Sequence, residues 1–273
     1  MNRSIEEIEF TLFDTETTGL EPASGDRIVE IAAIRFRGKE KVATFETLIN
    51  PGRHISDAAF QVNRITEEML KDAPAASEAI PRFLRFIDGS CLCAYNAGFD
   101  IEFLNNELAL AGESPLISLE VVDILKMAKR LLPGLERYAL WFVAEKLGIK
   151  VQQMHRALAD VELTLNVFYK LKQVLVEKGI YDFQNFLGLF AINSDLLKNI
   201  VDQKLASIQE AIGLGLKLRI KYLSTSGAKV TEREVLPKEI KEENNRSYLV
   251  GHCCLRNEER TFRVDGILHL EII

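Results

Sequence analysis

The chain has 273 residues, 47% of them hydrophobic, with a formal net charge of −6. That is enough for one large domain or two smaller ones with packed cores. The negative balance counts against a protein that grips nucleic acid by charge alone, and says less about an enzyme whose acidic residues hold cationic metals.

The four cysteines occur as Cys91-x-Cys93 and Cys253-Cys254, neither with zinc or redox spacing. Reduced, buried thiols are expected. The opening "MNRSIEEIEF" has no apolar signal segment, and no apolar run approaches the roughly 18–20 residues that span a bilayer. A cytoplasmic location without membrane contact follows as an expectation.

Residues 8–14 alternate as a strand, with Ile8, Phe10 and Leu12 on one face. "RIVEIAAIRF" (27–36) and "KVATFETLIN" (41–50) are two more strands, joined as a hairpin by a short turn with Gly38. Helical spacing appears in "TEEMLKDA" and in "SEAIPRFLRFID", where Ile80, Phe83, Leu84 and Ile87 recur. "SCLCAYN" (90–96) is a short buried strand, and Phe99 to Leu110 is a helix. "LISLEVVDIL" holds a fifth strand running into a helix. A helix beginning near Arg137 stops at Gly148, a C′ glycine, and a long amphipathic helix covers about Ala157 to Glu177. Three antiparallel strands followed by alternating helices and strands indicate an α/β layer fold.

After Lys178-Gly179 the character changes. Residues 180–212 are helical or irregular with no strong strand, and from Leu214 onward the chain is β-rich. The charge changes too: residues 206–273 hold 11 Lys+Arg and 10 Asp+Glu, so the negative excess lies before them. The expected organisation is a domain over 1–179, a helical linker over 180–212 and a β domain over 213–273.

Three short segments carry the chemistry. In "FDTETTG" (13–19), Asp14 and Glu16 are two residues apart near the end of a strand and point the same way. Alone, such a pair is an ordinary solvated strand end. In "YNAGFD" (95–100), Asp100 falls in the first turn of a helix, where a carboxylate also complements the macrodipole. In "HRALAD" (155–160), His155 precedes the long helix and Asp160 lies inside it, facing inward if Ala157, Val161 and Thr164 line the packed side. An unpaired charge there is costly.

Together the three segments supply four carboxylates and a histidine that an α/β fold can direct to one place. Such carboxylates repel unless divalent cations compensate, and hard oxygen ligands select Mg²⁺ or Mn²⁺. Two such ions can clamp a phosphodiester and lower the pKa of a bound water, whose proton a neutral histidine can take.

"FDTETTG", "YNAGFD" and "HRALAD" resemble the three motifs of the DEDDh exonuclease superfamily, in the right order. The likeness covers roughly residues 8–175 and is to the proofreading (epsilon) subunits of bacterial DNA polymerase III and their stand-alone relatives. "VNRIT" (62–66), "VVDIL" (121–125) and "PGLERYAL" (133–140) support it. The resemblance implies a ribonuclease-H-like mixed sheet with flanking helices. It assigns Asp14, Glu16, Asp100 and Asp160 to two divalent metals, Mg²⁺ or Mn²⁺, and His155 to general-base work. Thr17 and Phe99 are similar to the family's contacts with the terminal nucleotide. The implied reaction is 3′→5′ removal of nucleoside 5′-monophosphates from DNA, single-stranded or at a 3′ end. Trimming of RNA 3′ ends stays open, because RNA-trimming relatives share the motifs.

Residues 214–270 resemble a WYL domain, a small β-rich, Sm-like module, through Ile220-x-Tyr222, Arg233-x-x-x-Pro237, Tyr248-Leu249 and Arg260-x-x-Arg263-x-Asp265. Ser247 stands where the pattern has its Trp, and Gly266 where a basic residue often precedes the final Ile. Arg246, Arg260 and Arg263 near Tyr248 would form a basic and aromatic surface for nucleic acid or nucleotides; the same arginines could equally be solvated strand charges. A regulator led by this module is the alternative from another class. Because the module stands where a polymerase subunit has its docking tail, an accessory nuclease is expected rather than a replicase subunit. Oligomeric state stays open, with 180–212 able to pair two chains as a dimer.

Overall fold

The structure, a computed structural model, describes residues 3–116, 119–151, 156–192 and 195–273. Two sheets organise it. The first has six strands: β1 (Glu9–Thr17), β2 (Ile28–Arg37), β3 (Glu40–Leu48), β4 (Cys91–Ala94), β5 (Val121–Asp123) and β6 (Ala191–Ile192), in the order β3-β2-β1-β4-β5-β6. β1, β2 and β3 are antiparallel, β4 and β5 run parallel to β1, and β6 is antiparallel to β5. The sheet is therefore mixed, as expected. The helices in chain order are α1 (Asp57–Asn63), α2 (Glu67–Leu70), α3 (Ala76–Ile87), α4 (Ala97–Leu110), α5 (Ile124–Leu131), α6 (Leu140–Lys146), α7 (Ala157–Glu177), α8 (Phe183–Phe190) and α9 (Asp195–Leu214).

Period-two alternation sorts the strand residues onto two faces. Phe10, Leu12, Ile34 and Phe36 bury against Val161, Phe168 and Leu171 of α7 and Phe186 of α8. Phe13, Ile31 and Ala33 bury on the other face against Ile80 and Phe83 of α3 and Phe103 and Leu104 of α4. At the end of β1 the pairing with β2 breaks register between Glu16 and Thr17, so that Glu16 opposes Glu30 while Thr17 opposes Ile28. Val29 is the extra residue of a bulge, a device that re-aims neighbouring side chains. Gly19 follows. A Cβ there would collide with the Asp26 carboxylate, which accepts from Thr18 Oγ1 at 2.9 Å and from the Glu21 N–H at 3.1 Å. Glycine is what lets the chain leave β1 this tightly.

Two local expectations shift. The helix read from about Arg137 starts at Leu140. Tyr95 Oη donates to Tyr138 O at 2.6 Å and Tyr138 Oη donates to Leu132 O at 2.8 Å, which ties the preceding residues outside the helix. Its end is as read: Gly148 has φ +73° and Ile149 N donates to Ala144 O. The stretch 180–192 holds a strand that the sequence did not show, β6, paired with Val121 and Val122. Phe183, Phe186, Leu187 and Phe190 of α8 are part of the first core. The Ile5 N–H donates to Tyr181 O, and the Phe183 N–H to Arg3 O, which fastens this stretch to the chain start.

The second sheet contains β7 (Leu218–Leu223), β8 (Val230–Glu243), β9 (Arg246–Cys253), β10 (Glu258–Arg263) and β11 (Ile267–Ile272). It is antiparallel throughout, in the order β10-β9-β8-β7-β11. Leu218, Ile220, Val235, Leu249, Phe262 and Ile267 form its core with Ile208 and Ala211 of α9. No helix of the described residues is long and apolar enough to cross a membrane.

Phe186 is fully buried and touches the rings of Phe10, Phe168, Phe183 and Phe190. Phe186→Ala is expected to destabilise the first sheet by about 3–5 kcal/mol. Urea unfolding of the intact chain, followed by fluorescence of its single tryptophan, Trp141 on α6, measures this; an unshifted midpoint would place α8 outside the first core.

Candidate functional site

The carboxyl ends of β1, β4 and β5 lie side by side, and the acidic residues gather there. Asp14 and Glu16 occupy alternate positions of β1 in phase with Phe10 and Leu12, so they face α7. Asp160 sits in the first turn of that helix. One carboxylate oxygen from each of Asp14, Glu16 and Asp160 lies within 4.8 Å of the other two, and all three residues are half-buried.

Asp100 arrives from the opposite side of the sheet, in the first turn of α4, and is 3% exposed. It is held by the residue between the two β1 acids. Thr15 donates to Asp100 Oδ1 through its N–H at 3.0 Å and its Oγ1 at 2.8 Å. Alternation thus divides β1: Asp14 and Glu16 reach toward α7, while Thr15 reaches toward α4 and fixes the fourth carboxylate. Asn96 stands before α4 with φ +67°, and its N–H donates to Asp123 Oδ1 at 3.1 Å.

The electrostatics follow from crowding and burial. Desolvation, then the charges of Asp100, Glu16, Asp160 and Glu30, holds Asp14 well above the ordinary carboxylate range. Glu16 is pushed up to about 8, by desolvation first and then by Asp160, Glu30 and Asp100; a hydrogen bond from Asn63 opposes the shift. Asp100 rises to about 7 through desolvation, against the lowering effect of Thr15. Each group binds its proton more tightly folded than unfolded, where carboxylates titrate near pH 4. Stability present below that pH is lost as pH rises through about 7–8. Four oxygen-donor side chains with unfavourable mutual charge fit a hard divalent cation, which inverts the sign of the site.

The structure adds residues that the motifs did not reveal. Glu30 is fully buried opposite Glu16 and accepts from Arg156 Nε at 3.1 Å and from the Ala157 N–H at 3.1 Å. It anchors the N-terminus of α7, and with it Asp160, to the sheet. An acid at the centre of the apolar run "RIVEIAAIRF" was the available signal. Asn63, 1% exposed at the end of α1, donates to Thr17 O at 3.2 Å and accepts from the Ile65 N–H.

His155 lies outside the described residues. Thr17 is buried at the end of β1 with its hydroxyl donating to Gly19 O, and Phe99 is half-buried against Phe103 with ring centroids 4.8 Å apart. Both are within a residue of a site carboxylate in the chain. The four C-terminal residues do not share one surface. Arg263 pairs with Tyr248 across β9 and β10, and Arg246 lies two residues before Tyr248, so these three share a face. Arg260 pairs with Gly251, on the other face, and donates to Glu258 at 3.1 Å.

A mixed sheet of this order, with carboxylates from β1, α4 and α7 at its carboxyl end, defines a ribonuclease-H-like nuclease fold with a metal-binding type of acidic cluster. Residues 11–168 match the family model described as Exonuclease (RNase_T), and the chain belongs to that family. Residues 203–272 match the WYL domain model. A DNA polymerase III subunit epsilon from Treponema pallidum (strain Nichols) is 46% identical over 165 residues, 60% of this chain and 76% of that one. A PolC-type DNA polymerase III from Caldanaerobacter subterraneus subsp. tengcongensis is 33% identical over 256 residues, 92% of this chain but 18% of its own length. The chain thus spans less than a fifth of that relative. A full-length 3′-exonuclease crystal structure superposes with TM-score 0.55 at 18% identity, over 64% of this chain and 84% of that one, which shows the shared fold.

In metal-free buffer at pH 8, Asp14→Asn is expected to raise the unfolding temperature by a few degrees, equivalent to ~1 kcal/mol. Near pH 4 the gain should vanish. Thermal scans in a chelator at the two pH values measure it, and equal effects at both would show that repulsion is not the cause.

Proposed function

We propose that the protein is a 3′→5′ exonuclease of the proofreading or repair type, hydrolysing phosphodiester bonds at DNA 3′ ends to release nucleoside 5′-monophosphates. The observation that carries this is the convergence of Asp14, Glu16 and Asp160 within 4.8 Å, with Asp100 fixed beside them by Thr15. The 46% identity to an epsilon subunit favours DNA over RNA. The catalytic part is residues 1–179 together with α8 and β6, which complete its core and sheet, joined through the rest of 180–212 to the WYL-like part, 213–273, in a cytoplasmic accessory enzyme.

The residues have separable roles. Asp14, Glu16, Asp100 and Asp160 would hold two divalent cations, Mg²⁺ or Mn²⁺. When bound, these supply Lewis-acid stabilisation of the phosphodiester and a lowered pKa for the attacking water. Thr15 positions Asp100, and Glu30 with Arg156 positions the helix that carries Asp160. His155, placed by its motif one residue before Arg156, accepts the proton of the attacking water. Thr17 and Phe99 flank the terminal nucleotide, with the Phe99 ring as a stacking surface for its base.

Asp14→Asn is expected to abolish hydrolysis of 3′-labelled DNA in Mg²⁺ or Mn²⁺ while the circular dichroism stays that of the wild type. Wild-type turnover by the folded variant would sink the proposal. Matched RNA in the same time course tests the polymer, and faster loss of RNA would replace the DNA assignment. Thr15→Val keeps the N–H but removes the hydroxyl donor to Asp100. It should lower activity about 10–100-fold, with a higher metal requirement, as read by metal titration of the initial rate.

A further inference from the structure

A cleft of about 340 Å³ lies between α5 and the second sheet, and the proposed hydrolysis makes no use of it. Lys126, Lys129 and Arg130 of α5 line one side, and Arg246 and Arg263 line the other. Positions 126, 129 and 130 are i, i+3 and i+4, so the three cations share one helix face. Arg246 and Arg263 share one face of the β9–β10 pair. Five cations therefore converge from a helix and a sheet in a chain whose net charge is −6.

The anions nearby do not match them. Asp265 is engaged by Arg263 through Nε at 3.1 Å and through Nη2. Arg130 reaches the same carboxylate only through Nη1 at 3.5 Å. Asp123, at the cleft's edge, accepts from the Asn96 and Leu125 N–H groups. Arg130 is 6% exposed, and its Nε and Nη2 are buried with no hydrogen-bond partner. A buried guanidinium with idle donors is costly and calls for a missing acceptor. The missing side chain of Gly266 is what admits the guanidinium: a Cβ there would stand 2.8 Å from Arg130 Nη2.

The cleft also lies at the right end of the sheet. Asp123 ends β5 beside Ala94 at the end of β4, and β4 is the parallel neighbour of β1. Two strand spacings, roughly 10 Å, separate it from the carboxylate row. A single strand that enters the carboxylate row by its 3′ end and runs toward β5 comes to this cleft next.

We infer that this cleft is a phosphate-binding subsite for the single strand being degraded, built jointly by α5 and the WYL-like sheet, with Arg130 donating to a phosphate oxygen. The inference rests on the exonuclease proposal for what occupies the carboxylate site. A nucleoside 5′-monophosphate or inorganic phosphate presents the same chemistry, and the test separates them from a strand.

The test is fluorescence anisotropy of a short 3′-ended DNA strand on the full chain in a chelator, so that binding is read without hydrolysis. Lys129→Ala/Arg246→Ala removes two exposed cations and should weaken binding about tenfold at ~0.1 M salt. The slope of log affinity against log salt should become shallower by about 1.4, or ~0.7 for each phosphate no longer neutralised. Arg260→Ala, on the other face, should change neither. Arg130→Met should weaken binding without lowering the unfolding temperature; lowered stability with unchanged binding would make Arg130 merely structural. An unchanged affinity and slope in the double variant overturns the inference. Monophosphate or inorganic phosphate competing as tightly as the strand overturns it too, by making the free anion the ligand. Because hydrolysis is not read, loss of nuclease activity and loss of this subsite are separate outcomes.

Discussion

Like-charge repulsion at the carboxyl end of the first sheet is the constraint around which the molecule is arranged. Asp14, Glu16, Asp100 and Asp160 are brought together in a place where desolvation alone already disfavours the charged forms of the first three. Left to themselves, such groups would splay apart or stay protonated. The surrounding structure prevents the first by fixing each carboxylate's carrier. Thr15 grips Asp100 with two donors, and Glu30 ties the start of α7 to β2 through Arg156 and the Ala157 N–H. Asn63 braces the end of β1 through Thr17 O. The bulge at Val29 and the missing side chain of Gly19 let the chain turn away just beyond the acids.

Strand alternation turns this constraint into geometry. The side-chain period of two makes β1 serve two cores at once, Phe10 and Leu12 against α7 and Phe13 against α3 and α4. The same phase carries Asp14 and Glu16 toward Asp160 and Thr15 toward Asp100. A register slip of one residue would expose the core and exchange the roles of Glu16 and Thr15 together. Burial of the phenylalanines therefore specifies the site as firmly as it specifies the fold.

The division between what was legible in the sequence and what was not follows this physics. β1, the β2–β3 hairpin and α7 announce themselves through periodicity, and the carboxylates through short motifs whose spacing is local. What escaped depends on partners far away in the chain. Glu30 looks like an oddity in an apolar strand until Arg156, 126 residues later, supplies its counter-charge. β6 is two residues long and exists because β5 offers an edge. The start of α6 is set by Tyr95 and Tyr138, a tertiary tie that no helix propensity contains. Arg260 and Arg263 are close in sequence, but an offset of three on a strand puts them on opposite faces, which a count of basic residues does not register.

Gly266 shows how a departure from a family pattern can acquire a physical meaning only in three dimensions. In sequence it is a missing basic residue in the WYL-like module. In the structure the space beside it is filled by the guanidinium of Arg130, which comes from α5 of the exonuclease part and approaches Asp265. The cation is thus present, but supplied by the other half of the chain. A charge borrowed in this way makes the second sheet and α5 parts of one electrostatic unit. The WYL-like module then has a physical reason to be covalently joined to the exonuclease-family part, because separation would leave Arg130 without its acid.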